Sequence, residues 1–407
     1  MSHGLESSSA PFGTVTGFLS RTSVVPLSVR SVFRFYTRSG ELDLTALRIR
    51  GWVEDTLDAF LEDAYAAIEA RVEQELDYES VTFSYETKLT MPVELTLGHL
   101  YRRAMADVHG DVNPVTGEVS TPISAYFPVE TDDAAREERL RERASEQLEF
   151  VAHAERVARL CTEALLDGDM RDAINDDEYE DFQLDVDVTD AERRRVAEIA
   201  QECLRTRVEE QFSAFPAAVR ERYTTAVDDS EAHQDDDQHF RELMVRATEG
   251  DDDATEQIRD EYKFAPFESN PDVLTAQERD WPYCKTQYER VGVIYDGMIE
   301  MFRAAGIDID ESFKHAIVLA IIGAQIWLDD VDDLEADLAE QQLTPVTAEY
   351  LICDTDDEAY QNVVDIATQY LDQAIRYAVD SDSILTGIAT EYIYLSGTPE
   401  NLDGYDA

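Results

Sequence analysis

Residues 316–328 are almost continuously apolar, and they run directly into aspartates at Asp329, Asp330, Asp332, Asp333 and Asp337. A stretch of that composition has to be buried, yet its thirteen residues fall short of the ~20 that a bilayer-spanning helix needs. It therefore predicts the central helix of a packed core, with a carboxylate-rich tip. The surrounding periodicity is also helical. Across 55–75, Leu57, Leu61, Ala64, Tyr65, Ile68 and Val72 recur at helical spacing, and 134–166 carries a stripe through Leu148, Val151, Ala154, Val157 and Leu160. A further helix is expected over 189–215, with Asp190 placed to cap it. Another, over 282–305, stops at Gly306, and one from Asp310 runs through the apolar stretch. Thr344 as N-cap and Pro345 at the first helical position open a helix over 343–351. Two more follow, over 357–379 and 383–396. Only 81–83 and 122–127 suggest short strands. The fold class is all-α, without a fixed-period repeat.

Charge sets the solvent and excludes one class of partner. Asp and Glu number 89 against 34 Lys and Arg, a net charge of −55. Only four cations are lysines: Lys88, Lys263, Lys285 and Lys314. Bulk nucleic-acid binding depends on neutralising phosphates with Lys and Arg, so nucleic acid is not an expected partner. An acidic excess with lysine almost absent reads as adaptation to molar salt, where a Debye length of ~3 Å screens self-repulsion. Hydrophobic residues still make up 43%, enough for a sizeable core. Cys161, Cys203, Cys284 and Cys353 form no CxxC or Cys/His cluster, so reduced thiols in a cytoplasm are expected. The start of the chain has no continuous apolar signal region, and the expectation is a soluble, cytoplasmic protein.

Three regions differ in composition. Residues 12–53 hold Arg21, Arg30, Arg34, Arg38, Arg48 and Arg50 against only Glu41 and Asp43. Peripheral contact with an anionic membrane, anchored by Phe18, Val32, Phe33 and Phe35, is one reading of this island; pairing of the arginines with the acidic body is the other. Residues 1–130 are expected to be an N-terminal extension of mixed structure, and 131–407 a helical bundle. The triple-aspartate runs 235–237 and 251–253 mark 228–262 as an acidic linker.

On a regular helix Asp329, Asp333 and Asp337 share one face, with Asp330 beside Asp337 in rotation. Like charges one turn apart repel. Divalent cations between the carboxylates would relieve that repulsion, and Mg²⁺ suits oxygen ligands and bridges to phosphates; the other reading is one more acidic helix end on an acidic protein.

Flanking residues add to the first reading. Tyr283-Cys284-Lys285-Thr286 is followed by Ala305-Gly306-Ile307-Asp308, then by Gln325-Ile326-x-x-Asp329-Asp330-x-x-Asp333, then by Asp337-Leu338-x-Glu340-Gln341-Gln342-Leu343-Thr344-Pro345-Val346. This order resembles the second half of the trans-isoprenyl diphosphate synthases, within the class I terpenoid synthases, over residues 283–351. The resemblance implies a class I isoprenoid-synthase-like bundle. Asp329, Asp330 and Asp333 would hold Mg²⁺ bound to an allylic prenyl diphosphate, Lys285 would contact that diphosphate, and Thr286 and Gln325 would line the site. Asp337 joins the metal set through its place on the aspartate face. The implied activity is prenyl transfer or terpenoid cyclisation through an allylic carbocation, with a homodimer as the candidate assembly. Gln341-Gln342 stands where the family has glycine and lysine. The candidates for a first Asp-rich motif, 176–181 and 187–190, do not end an apolar helix. A non-catalytic helical relative acting as a binding or scaffold protein is therefore the alternative. The retained Lys285 and Lys314 point to tasks that arginine cannot perform, with ordinary surface lysines as the other reading.

Overall fold

The computed structural model describes residues 26–40, 44–85, 90–107, 133–176, 182–234 and 237–405. Among them the chain is all-α, with a single two-stranded antiparallel ribbon. The helices are α1 Leu27–Ser39, α2 Leu44–Leu76, α3 Met91–Asp107, α4 Asp133–Asp176, α5 Asp190–Phe212, α6 Ala217–Gln234, α7 Asp237–Thr248 and α8 Asp252–Gln257. After these come α9 Cys284–Gln287, α10 Val293–Ala304, α11 Glu311–Ala324, α12 Asp330–Asp332, α13 Leu334–Glu340, α14 Pro345–Ile352, α15 Asp356–Asp380 and α16 Ile384–Ser396. Three π-helical turns interrupt the run: Ile258–Lys263, Tyr288–Gly292 and Gln325–Asp329.

The described residues fall into two compact units, one drawn from Met1–Asp43, Tyr223–Ile299 and Ile309–Ala407, the other from Leu44–Arg222 and Glu300–Asp308. The boundary expected near residue 130 lies outside the described residues, and these units divide the chain elsewhere. Of the described residues within 26–107, expected to be of mixed structure, most are helical, with a three-residue strand at Phe83–Tyr85. The strand expected at 122–127 lies outside the described residues.

In the second unit, β1 (Phe83–Tyr85) pairs antiparallel with β2 (Phe182–Leu184), Phe83 opposite Leu184. The backbone N–H groups of Val81 and Phe83 donate to Glu73 and Glu69 of α2, at 3.1 and 2.9 Å, so the helix satisfies donors that the short ribbon leaves open. Ile68 and Val72 of α2 and Ile199 and Leu204 of α5 pack with Phe83 and Phe182 in one buried cluster. Thr189, not Asp190, caps α5: its hydroxyl accepts from the Glu192 N–H, and Glu192 answers with a bond from the Thr189 N–H. The cap therefore sits one residue earlier than expected. The wholly buried Glu163 is held by Arg159 and Arg207 and by an amide bond from Gln211, so its charge is compensated.

The first unit is organised on α11. Phe313, Ile317, Val318, Leu319 and Ile322 are buried around its whole circumference, as expected of a core helix, and each such side chain contributes roughly 1.5–3 kcal/mol. Asp310 caps it, accepting from the Phe313 N–H at 2.8 Å. Gly323 brings it close to α15: a Cβ there would lie 2.7 Å from Leu371 Cδ2 and 3.2 Å from Tyr370 Cβ. Among the described residues, Glu311–Asp332 alone is long and apolar enough to cross a membrane by length and composition, and 61% of its apolar window is buried inside the fold.

The stretch expected to be an acidic linker, 228–262, is helical over its described residues apart from a turn at 249–251. Phe240, Leu243, Met244, Ala254, Ile258 and Tyr262 all enter the main core, and Asp228, Asp229, Asp252, Asp253 and Asp260 are exposed. Helix α1, part of the arginine-rich stretch, is likewise packed into its unit. Phe35, expected as a membrane anchor, is 1% exposed and packs on Gly387 of α16. Arg34 and Arg38 pair with the buried Glu391, and Arg38 also pairs with Asp372. Arg21 and Phe18 lie outside the described residues.

Candidate functional site

The apolar core helix does not continue as a regular helix into its aspartates. At Gln325–Asp329 it widens into a π turn, resumes as α12 for three residues, and breaks at Asp333, where φ is −96° and ψ 7°, before α13. Each π turn adds a residue per turn and rotates the helix beyond it. The inward stripe after this turn is consequently Asp330, Leu334 and Asp337, while Asp329 and Asp333 are exposed. The expected face of Asp329, Asp333 and Asp337 is thus replaced by a buried pair, Asp330 and Asp337, flanked by two exposed carboxylates.

Asp330 is 1% exposed and Asp337 9%. The cation that meets them is Arg290, on the second π turn, whose Nη1 lies 3.1 Å from Asp330 Oδ1. Gln325 donates its amide to the Asp329 carboxylate and, at 3.5 Å, to Asp330 Oδ1. The Thr344 side chain, at the N-cap of α14, favours the ionised form of the Asp337 carboxyl. One oxygen of each buried carboxyl, Asp330 Oδ2 and Asp337 Oδ2, has no hydrogen-bond partner. Burial pushes the Asp330 carboxyl up to about 7; Arg290 opposes the rise, and Asp329 and Asp337 add to it. Burial likewise lifts Asp337 to about 6, against Thr344 and Arg290 and with Asp333 and Asp329. Burial works against the Arg290 charge, but Asp330, Tyr262 and Asp329 outweigh it and the guanidinium is held firmly protonated. Tyr262 belongs to the first π turn, Arg290 to the second, and Asp329 to the third. All three turns therefore contribute to one electrostatic cluster.

The other expected residues are placed differently. Lys285 sits on α9 with its Nζ 3.7 Å from Glu289, one turn on. Thr286 is buried, and its hydroxyl donates to the backbone carbonyls of Tyr262 and Tyr283 at 3.4 and 3.3 Å. Its oxygen thus fastens α9 to the first π turn instead of lining a ligand site. Lys314 is 4% exposed and pairs with Asp296 at 2.5 Å, which also accepts the Tyr288 hydroxyl. Asp332 is tied down by Thr398 and Asn401. Of the candidate first Asp-rich motif, 177–181 lies outside the described residues, and Asp187 and Asp190 belong to the other compact unit.

Arg290 is the residue that sequence reasoning missed. It follows Lys285 by five positions in the same motif, but it is one arginine in a chain where arginine supplies nearly every positive charge. Among the described residues, no three His, Cys, Asp or Glu side chains are grouped so as to hold a metal ion. What is present is a pair of buried carboxyls with unfilled acceptors beside a fixed guanidinium. No protein-family model, curated protein or solved structure matches the chain.

Proposed function

We propose that this protein is a class I isoprenoid-synthase-like enzyme that binds a prenyl diphosphate with Mg²⁺ at the Asp330–Asp337 cluster, for prenyl transfer or terpenoid cyclisation through an allylic carbocation. The observation that carries the reading is the pair of buried carboxylate oxygens, Asp330 Oδ2 and Asp337 Oδ2, left without partners next to Arg290. Buried polar atoms are ordinarily satisfied, so two such acceptors in one acidic cluster call for a cation. Mg²⁺ keeps much of its water and is usually held by one or two carboxylates together with substrate phosphates. This donor set fits a metal that arrives with its diphosphate better than one caged by protein alone.

Asp330 and Asp337 would hold the metal, with Asp329 and Asp333 alongside, and when bound it would stabilise charge on the departing diphosphate. Arg290 presents its remaining N–H donors to phosphate oxygens, for which a planar guanidinium is well suited. Gln325 fixes the orientation of Asp329 and Asp330 toward one another. The apolar end of α11, with Ile326 and Trp327 buried beyond it, suits a hydrocarbon tail and excludes water from a cationic centre. Lys285 takes no part in this arrangement.

A second reading, a non-catalytic helical binding or scaffold protein, is favoured by the engagement of Asp330 with Arg290 and of Asp332 with Thr398 and Asn401, as in a structural network. Calorimetry with inorganic pyrophosphate and Mg²⁺ in molar KCl, alongside diphosphate release from geranyl, farnesyl and geranylgeranyl diphosphates, separates the two. Binding abolished by Asp337→Asn together with release supports the enzyme. Binding without release supports the second reading, and no binding in the unaltered protein refutes both uses of the site.

A further inference from the structure

Helix α1 is separated in sequence from the rest of its unit by the Leu44–Arg222 segment of the second unit, yet it packs on the last helix, α16, through a built contact. Phe35 fills the space that Gly387 leaves: a Cβ on that glycine would collide with the ring. Glu391 of α16 is 0% exposed and receives two arginines, Arg34 Nε at 2.6 Å and Arg38 Nε at 2.9 Å. The two are not equivalent. Arg38 reaches on to Asp372 at 2.7 Å, whereas the Arg34 guanidinium lies over the Tyr394 ring, 3.9 Å from its centroid. The Tyr394 carbonyl accepts the Trp327 indole N–H at 3.1 Å, and the two rings lie 6.1 Å apart. Trp327 is 5% exposed and closely backed by Gly397, where a Cβ would collide with the indole. It sits in the middle of the π turn that carries Gln325 at one end and Asp329 at the other.

We propose that Arg34 is a positioning residue for the Asp-rich cluster: anchored on Glu391 and stacked on Tyr394, it fixes Trp327, and with it the register at which the π turn sets Gln325, Asp329 and Asp330 against Arg290. The π turn is a packing-dependent irregularity, and a regular α-helical register would rotate Asp330 away from Arg290. A buried indole clamped between a carbonyl and a glycine is the element that selects between the two registers. That the cluster serves a diphosphate rests on the function proposed above; that Arg34 sets Trp327 does not.

The test uses the full chain in molar KCl, labelled with 5-fluorotryptophan, in which Trp52, Trp281 and Trp327 give three fluorine resonances and Trp327→Phe assigns one. Arg34→Gln is expected to shift and broaden the Trp327 resonance alone. Arg38→Gln, which removes a bond to the same Glu391 but no stacked cation, is expected to leave it in place. Arg34→Lys keeps the charge at Glu391 without the flat face; it should move the Trp327 resonance in the same direction by less, and it carries the test should Arg34→Gln not fold. In parallel, the affinity for inorganic pyrophosphate with Mg²⁺ should fall about threefold or more in Arg34→Gln and stay level in Arg38→Gln. An unmoved Trp327 resonance in both Arg34 variants overturns the proposal. So does an equal shift in Arg38→Gln, which would reduce the contact to simple docking of α1. If the unaltered protein binds no pyrophosphate, the diphosphate reading falls and the fluorine shifts alone decide the positioning.

Discussion

Replacing Asp330 by Asn should remove the pH dependence that this single side chain imposes on stability. Its carboxyl titrates at about 7 in the folded protein, against an ordinary value of 3.8. A raised acid binds its proton more tightly when folded, so it costs nothing below the ordinary value. Its cost grows as pH rises, and is complete above about 7. The full cost is ~4 kcal/mol, of which roughly 2.5 accrues between pH 5 and 8. The value already includes the help of Arg290, and salt screens a pair this buried only weakly. Asn keeps the size of the side chain and cannot ionise, so the stability of the variant relative to the parent should rise by ~2.5 kcal/mol from pH 5 to pH 8. Loss of the neighbouring charge also eases ionisation of Asp337, which acts in the same direction. The assay is chemical denaturation in molar KCl at half-unit steps of pH, both proteins side by side, so that every other titrating group cancels. Stability curves that stay parallel from pH 5 to 8 would refute a buried, proton-holding Asp330.

Three further outcomes are expected. Arg290→Gln strands the Asp330 carboxylate, and the loss should be about 3 kcal/mol at pH 8 but markedly less at pH 5, where Asp330 takes up a proton; denaturation midpoints at the two values check this. Gly323→Ala should destabilise by roughly 1–3 kcal/mol, despite alanine's ~1 kcal/mol helix advantage, because the methyl meets Leu371 at 2.7 Å. An unchanged or raised midpoint would mean that α11 and α15 separate freely. Transfer from molar KCl to 10 mM buffer should unfold or expand a chain of net charge −55, and helical circular dichroism that survives the transfer would contradict salt adaptation.

Caps and stops were legible from single residues because their physics is local. Asp310 and Thr344 cap the helices they were expected to open, and Gly306 takes the positive φ of 90° that ends the preceding one. The linker reading of 228–262 came from composition weighed above period. In 228–262 the aspartate runs masked Phe240, Leu243 and Met244, whose spacing makes α7 amphipathic. At the N-terminus the arginine island left membrane contact and pairing with the acidic body both open, because the buried partner of Arg34 and Arg38, Glu391, lies more than 350 positions away in sequence. The lysines were informative in a different way. Lys263 and Lys314 each meet one deeply placed carboxylate, Glu349 at 2.6 Å and Asp296 at 2.5 Å. A compact ammonium fits such a site, where a forked guanidinium would leave donors unpaired. Lys285, the lysine that the family resemblance singled out, meets only a partly exposed glutamate.

The aspartate face was misjudged because a π turn leaves no mark in a one-dimensional period: extrapolated at 3.6 residues per turn, Asp329, Asp333 and Asp337 align, and one inserted residue sends Asp330 and Asp337 inward instead. An insertion of this kind costs helix geometry, so it persists only where surrounding contacts demand it. Here the demand is visible on every side of the cluster. Tyr283, a bulky residue at φ 61°, is strained and is held there by its N–H to the Lys263 carbonyl and its hydroxyl to Glu349. Tyr262 is fixed by the Leu343 carbonyl, and Trp327 by that of Tyr394. Of the residues making these bonds, Lys263 and Tyr262 belong to the first π turn and Trp327 to the third. An acidic helix end that was merely solvated surface would need none of them, since its carboxylates could fan into water without disturbing the core. The fold uses three irregular turns to bring Arg290, Asp330 and Asp337 together out of water, with two acceptors left open. That convergence is the physical ground for treating the cluster as a built site.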